Sequence, residues 1–373
     1  MRNPELILQG EQSHFLLFEG NERYPCMKIP HFKRETGDLV LPATQTLNIG
    51  LPGYGCPAYE LRDNNYPYQR GFRSYQDSTM RALNEYNGGG GDTYVTCTMP
   101  GSTKELKTSD RITHTIGAHA QSLVALMKMW EEEGLLRNKS IIRLLPHSRG
   151  ARVFLESLHF PEMQQILGRV PSSTQLIVDF QMPALALAQN TIHPRIALLA
   201  KLRNSRFGDS IDHLPTVAKL AALEDLLHSG FIEDDEKYFS GGVIQRNSLI
   251  AMEAQAQELL TDYNPETLIA SLIILKRLGV GVNGIFAEKD SIVDYQSVHM
   301  FLGGMVGASI SGTILVLRGA GHTEHLKHPV RVAEAIHVLD DMPQTELFQE
   351  TITPQGDLLI RLPHLPSDKQ SSV

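Results

Sequence analysis

The sequence predicts an α/β protein built on a doubly wound, mostly parallel sheet. Near-continuous apolar runs recur along the chain: "TLNIGL" at 46–51, "SIIRLLP" at 140–146, "TQLIVDF" at 174–180, "GVNGIFA" at 281–287 and "TILVLR" at 313–318. Runs of this length and composition suit strands covered on both faces. Segments of helical spacing stand between them, the longest being "TIGAHAQSLVALMKMWEEEG" at 115–134. Strands that alternate with helices are the pattern of a parallel sheet with crossover connections. The texture also changes once, at about residue 186. From there to about 277 helical patterns follow one another with almost no strand signal, which predicts a helical insertion.

Taken in order, "HFLLF" at 14–18 and "PCMKI" at 25–29 read as two short strands joined near Gly20-Asn21. The strand at 46–51 ends at "PGYG". Residues 71–86 have helical spacing and stop at Asn87 and the glycines Gly88 to Gly91. A β-branched run, "TYVTCT" at 93–98, ends in Pro-Gly. After the helix at 115–134 come the strand at 140–146, a tight turn, the helical run "GARVFLESL", and the strand at 174–180. The insertion carries candidate helices at 193–206, 215–229, 244–260 and 265–277. The sheet resumes at 281–287 and 313–318, and a helix is expected at about 329–340. The tail from 346 holds one more apolar run, "GDLLIRL", before polar residues expected to be disordered. The expected units are 1–186 and 278–345 as the two parts of the sheet domain, 187–277 as the insertion and 346–373 as the tail.

The chain has 373 residues, 42% hydrophobic and 20% charged, with a net charge of −8. That balance suits a globular protein and disfavours nucleic acid or an anionic membrane as partner, since Lys and Arg are scattered. Cys26, Cys56 and Cys97 are too few and too far apart for a disulfide framework or a zinc site. The N-terminal apolar run is too short for a secretory signal, so a cytoplasmic location is expected. Residues 300–317 carry no charge, but their glycines and hydroxyl residues suit a buried helix followed by a strand better than a membrane span.

The chemistry gathers after three strands. "SIIRLLP" runs into His147-Ser148-Arg149-Gly150 and then into a helix, which puts Ser148 at the apex of a strand–turn–helix elbow. "FAEKDSIVD" follows the strand at 281–287 and places Asp290 in its loop. "VLRGAGHTEHLKHP" follows the strand at 313–318 and places His322 after Gly319 and Gly321. In open parallel sheets functional groups collect at the C-terminal ends of strands, so all three belong to one edge. A serine hydroxyl needs an imidazole to take its proton and a carboxylate to hold that imidazole in the right tautomer. Charge that develops on an acyl oxygen needs N–H donors. "LPGYG" at 51–55 offers the Tyr54 amide, and the elbow offers that of Arg149.

Other patterns have plainer readings. Asp294 rivals Asp290, four residues on. His322, His325 and His328 drift around a helix and are not expected to share a metal. Gly279 to Gly284 spells G-x-G-x-x-G but precedes a strand, which fails the context of a dinucleotide site. Gly88 to Gly91 lack the Lys-Ser/Thr of a phosphate loop. Trp130 is expected to pack, and the Arg149 side chain to be packed or solvated.

Ser148 in its elbow, Asp290 in "KDSIV", His322 in "GAGH", their order along the chain, "PGYG" after the early strand and the insertion after the sixth strand together resemble the α/β-hydrolase superfamily over roughly residues 12–345. The resemblance implies an eight-stranded, mostly parallel sheet with a helical cap at 187–277. It implies a serine hydrolase that needs no metal or other cofactor and cleaves an ester or related bond, with Ser148 as nucleophile, Asp290 as acid and His322 as base. The apolar helices of the insertion favour a carboxylic ester or lipid-like acyl substrate. Two residues depart from the family pattern: Pro146 replaces the elbow glycine, and Pro52 stands where histidine is frequent. The alternative readings are a non-catalytic binding protein on the same fold, with Pro146 as the trace of lost catalysis, and a membrane-associated protein anchored by 300–317.

Overall fold

The computed structural model of the chain describes residues 7–9, 13–18, 46–51, 53, 93–97, 115–132, 134–188, 249–322, 324, 328–340 and 347–363. Ten strands form one sheet: β1 (Ile7–Gln9), β2 (Ser13–Phe18), β3 (Thr46–Leu51), β4 (Thr93–Cys97), β5 (Ile141–Pro146), β6 (Gln175–Gln181), β7 (Gly281–Ala287), β8 (Gly312–Leu317), β9 (Gln349–Ile352) and β10 (Leu358–Leu362). Their order is β1-β2-β4-β3-β5-β6-β7-β8-β10-β9. Neighbours from β2 through β8 are all parallel, while β1, β10 and β9 pair antiparallel with their neighbours.

The helices among the described residues are α1 (Ile116–Glu132), α2 (Arg149–Ser157), α3 (Pro161–Gly168), α4 (Leu249–Glu258), α5 (Pro265–Arg277), α6 (Gln296–Gly307) and α7 (Pro329–Asp340). Local chemistry sets several of their ends. Pro161 and Pro265 open α3 and α5, where a missing N–H costs nothing. Asn264 caps α5 by accepting from the amides of Glu266 and Thr267. Glu266 in the first turn of α5 and Lys276 and Arg277 in the last suit the helix dipole.

Alternation along the strands divides the interior into two cores. Leu144, Val178, Val282 and Ile314 face a large core shared with α1, α2, α3, α5 and α6. Leu145, Ile285, Leu315 and Leu317 face a smaller one capped by α7 through Val332, Ile336 and Leu339. A strand buried on both faces is mostly apolar, which is why these strands read as near-continuous runs. Within the large core Phe301 meets Phe180 edge to face and Phe286 at a tilt, with ring centroids 5.2 and 5.7 Å apart. A Cβ on Gly284 would stand 2.8 Å from the Phe301 ring, so this glycine is a packing requirement of β7. The G-x-G-x-x-G run is thereby accounted for: Gly279 ends α5 at φ 69°, and Gly281 begins β7.

The fold is the expected α/β-hydrolase arrangement, and the differences lie at its margins. The sheet extends past eight strands because the tail is not a loose end: "GDLLIRL" contributes β10, which pairs with β8, and β9 completes a hairpin. Helix α5, read from sequence as part of the insertion, belongs to the layer over the sheet. Its Leu268, Leu272 and Leu275 are fully buried in the large core. No helix among the described residues is long and apolar enough to cross a membrane; the uncharged run at 300–317 is the end of α6 and the strand β8. The expected strand at 25–29 and helices at 71–86, 193–206 and 215–229 lie outside the described residues.

Candidate active site

β4 lies on one side of β3, and β5 lies on the other. The chain therefore leaves β3 and β5 in opposite directions and opens a crevice at their C-terminal ends, where doubly wound sheets bind ligands. Gly53 follows β3 and Ser148 follows β5. A Cβ on Gly53 would stand 2.8 Å from His147 Nδ1 and 3.0 Å from Ser148 Cβ, so only glycine allows this approach.

Two residues separate β5 from α2, and Ser148 takes up the turn with φ 50° and ψ −121°. A non-glycine residue there carries strain on the order of 1–3 kcal/mol and persists only where its surroundings hold it. Four main-chain bonds do so. His147 donates its amide to Leu51 O at 3.0 Å, and Ser148 to Gln181 O at 2.9 Å. Ser148 O accepts from Ala151 at 3.1 Å and Ala184 at 3.2 Å. Pro146 fits as the last residue of β5. The β5–β6 ladder runs to Leu144↔Val178 and resumes in the same register as the His147↔Gln181 bridge. The gap falls where proline has no N–H to give.

His322 sits beyond β8 after the turn at Gly319, whose φ is 71°. Its Nε2 lies 3.0 Å from Ser148 Oγ, and its Nδ1 lies 2.8 Å from Asp290 Oδ2. The other carboxylate oxygen of Asp290 accepts from the amides of Ile292 and Val293 at 2.9 and 2.8 Å, which fixes its orientation. A carboxylate can only accept, so Nδ1 carries the proton toward Asp290. Nε2 is left with its lone pair toward the serine hydroxyl, which donates to it. The side chains of His322 and Asp290 are both nearly buried. Asp294, the rival acid, is used elsewhere: its Oδ1 accepts from Gln296 N at 2.8 Å at the start of α6.

The first N–H groups of a helix have no carbonyl partner within it, and Arg149 stands at that position of α2. The Arg149 side chain is buried and turned into the fold. It meets His119 Nδ1 at 2.7 Å and Glu258 at 3.1 Å, and the Glu258 carboxylate also accepts from Ile116 N at the start of α1. Arg152 donates to the carbonyls of Ala184, Leu185 and Thr261. The elbow helix is thus bolted to Glu258, the last residue of α4, and to Thr261 just after it. Tyr54, the other expected donor, and Pro52 lie outside the described residues, as does His325. His328 is exposed and pairs with Glu324, and no group of residues arranged to hold a metal occurs among the described residues.

The sequence reading missed His147 as part of the site. Its ring packs against that of His322, with centroids 5.1 Å apart. Burial, and after it the charge of His322, holds the His147 imidazole well below its ordinary range. Its position beside the nucleophile was the available signal; the stacking partner, far off in sequence, was not.

No family model and no curated protein matches the chain. Among solved structures it is similar to E-2-(acetamidomethylene)succinate hydrolase (14% identity, 80% of this chain and 92% of that one, TM-score 0.45), to bromoperoxidase from Bacillus anthracis (12%, 80% and 92%, 0.44) and to the esterase RhEst1 from Rhodococcus sp. ECU1013 (13%, 81% and 92%, 0.47). The strand order, the elbow after β5 and the loops after β7 and β8 define an α/β-hydrolase fold on the chain's own topology.

Proposed function

We propose that the protein is a serine hydrolase that cleaves a carboxylic ester or lipid-like acyl substrate through Ser148, His322 and Asp290. The observation that carries this reading is the unbroken row Asp290 Oδ2, His322 Nδ1, His322 Nε2 and Ser148 Oγ, with spacings of 2.8 and 3.0 Å. In the proposed reaction the Ser148 oxygen bonds to the acyl carbon while its proton passes to His322 Nε2. Asp290 stabilises the imidazolium. The acyl oxygen takes up negative charge and is held by the amides of Arg149 and Tyr54. Collapse breaks the bond to the leaving alcohol, which takes the proton from Nε2 and leaves an acyl-enzyme. Water that gives a proton to His322 then attacks the acyl carbon, and the acid departs as Ser148 regains its hydrogen.

Residues 187–264 are proposed as the cap that selects the substrate, and the bonds of Arg149 to Glu258 and of Arg152 to Thr261 support its close tie to the elbow. No cofactor is required by this chemistry. The test is turnover of p-nitrophenyl esters of increasing chain length by wild type and Ser148→Ala. Release of p-nitrophenol that depends on Ser148 is expected, with a chain-length optimum that measures the acyl pocket. A folded wild type with no turnover on any chain length, and no reaction with a fluorophosphonate, would favour a binding role for the fold.

A further inference from the structure

The loop that carries His322 leaves β8 at Arg318 and enters α7 at Pro329. Its support comes from the C-terminal hairpin. β10 pairs antiparallel with β8, from Leu358↔Val316 to Leu362↔Gly312. Antiparallel pairing brings the start of β10 to the end of β8, so Asp357 arrives at the edge of the sheet where the His322 loop begins. The β9–β10 turn holds Asp357 in place: its amide donates to Thr353 Oγ1 at 3.1 Å, and its carbonyl accepts from Thr353 N at 2.8 Å. The buried Asp357 carboxylate then receives two donors on one oxygen, the Arg318 amide and Arg331 Nη2, each at 2.7 Å.

Arg331, in the first turn of α7, is the hub. The same Nη2 also donates to Arg318 O at 2.8 Å. Nη1 lies 3.2 Å from Glu324 Oε1, a buried carboxylate two residues past His322, which His328 Nδ1 also meets at 3.0 Å. Near its origin the loop has one further side-chain tie, from Gly319 N to Glu288 at 2.7 Å. One planar guanidinium therefore fixes the first residue of the loop, the residue just past its histidine and the hairpin turn, a geometry that a lysine cannot reproduce.

We infer that Arg331 and Asp357 are positioning residues for His322, and that the β9–β10 hairpin belongs to the machinery that sets the base. The inference rests on the serine hydrolase reading above. Neither residue meets the serine; each acts through the loop. The consequence is steep because a displacement of about 1 Å at a reacting group can cost on the order of a hundredfold in rate.

The experiment compares wild type, Ser148→Ala, Arg331→Met, Asp357→Asn and the double variant Arg331→Met/Asp357→Asn. It reads the second-order rate of fluorophosphonate labelling, with kcat and KM on a p-nitrophenyl ester, at matched folded concentration. Arg331→Met is expected to lower labelling and kcat by about tenfold or more with KM changed less than about twofold. Asp357→Asn is expected to follow in the same direction. The double variant should be no slower than Arg331→Met, since residues that act as one unit are not additive. A merely structural role would lower the melting temperature and leave the rate per folded molecule unchanged. Folded Arg331→Met that labels within twofold of wild type would overturn the inference, and if that variant does not fold, Asp357→Asn decides by the same criterion. Wild type that does not label while folded overturns the hydrolase reading and this inference with it; labelling lost in Ser148→Ala but kept in both positioning variants overturns this inference alone.

Discussion

The imidazole of His147 lies against that of His322, centroid to centroid 5.1 Å, with the planes tilted by 40°. The site thus holds two histidines of opposite duty. His322 must become cationic in the proposed reaction, while His147 is buried and held neutral by desolvation and then by its neighbour's charge.

Stability should therefore carry the signature of a neutral buried histidine. The folded pKa of His147 is well below 6.5, so as pH falls through about 6.5 the unfolded chain takes up a proton that the folded one does not. Stability is then lost toward acid, by up to about 1.4 kcal/mol per pH unit, until the folded pKa is reached. Urea unfolding of wild type and His147→Gln between neutral pH and mild acid checks this. The variant is expected to show the shallower dependence, and equal slopes would remove His147 from the account.

The choice between the two acids has an unambiguous readout. Asp290→Asn keeps an oxygen for the Ile292 and Val293 amides but can no longer accept from His322 Nδ1, which favours the wrong tautomer. kcat is expected to fall by about 10⁴. Asp294→Ala removes an acceptor at the start of α6 and should cost about 1 kcal/mol of stability with activity retained. Steady-state kinetics and thermal melts on the pair decide, and the reverse pattern would assign the acid to Asp294.

Gly53→Ala should injure the site more than the fold. Its new methyl would meet the His147 ring and Ser148 Cβ at 2.8 and 3.0 Å. The loop after β3 must retreat from the elbow, and a tenfold or greater loss of kcat/KM is expected, of the order that small misplacements cost. Activity near that of wild type would show that the crevice tolerates a wider approach.

Far from the chemistry, Arg143 on β5 joins Asp179 on β6 at 2.7 Å and Asp340 at the end of α7 at 2.6 Å. Asp179 also accepts from Asn283 on β7 at 2.9 Å. Removing the only cation described in this buried group leaves carboxylates unpaired, so Arg143→Met is expected to cost about 3–5 kcal/mol in urea unfolding. Arg143→Met/Asp179→Leu should be less damaging than the single change. A loss under 1 kcal/mol in the single variant would mean that the group is hydrated and contributes little.

What the sequence made legible follows from burial. β5, β6, β7 and β8 were readable because strands covered on both faces are mostly apolar, the paired Arg143, Asp179 and Asn283 being exceptions. α7 was readable because Pro329 starts it and its apolar positions keep helical spacing. Ser148, Asp290 and His322 were legible because each follows such a strand, and the structure brings the three into hydrogen-bonding reach. β9 was not, because "QETI" is an exposed edge strand with no apolar alternation. α5 was misassigned because an apolar helix over a sheet and one in a cap have the same pattern; only its packing on Leu155 and Phe301 elements separates them. The bonds of Arg149 to Glu258 and of Arg331 to Asp357 span 109 and 26 residues, and nothing local announces them.

The central claim is that Ser148 is the nucleophile and His322 its base. The most direct measurement is mass spectrometry of the protein after treatment with diisopropyl fluorophosphate, followed by sequencing of the modified peptide. The account predicts a single stoichiometric adduct on Ser148, formed far more slowly in His322→Ala and absent in Ser148→Ala. An adduct on another residue, or none on folded wild type, would contradict it.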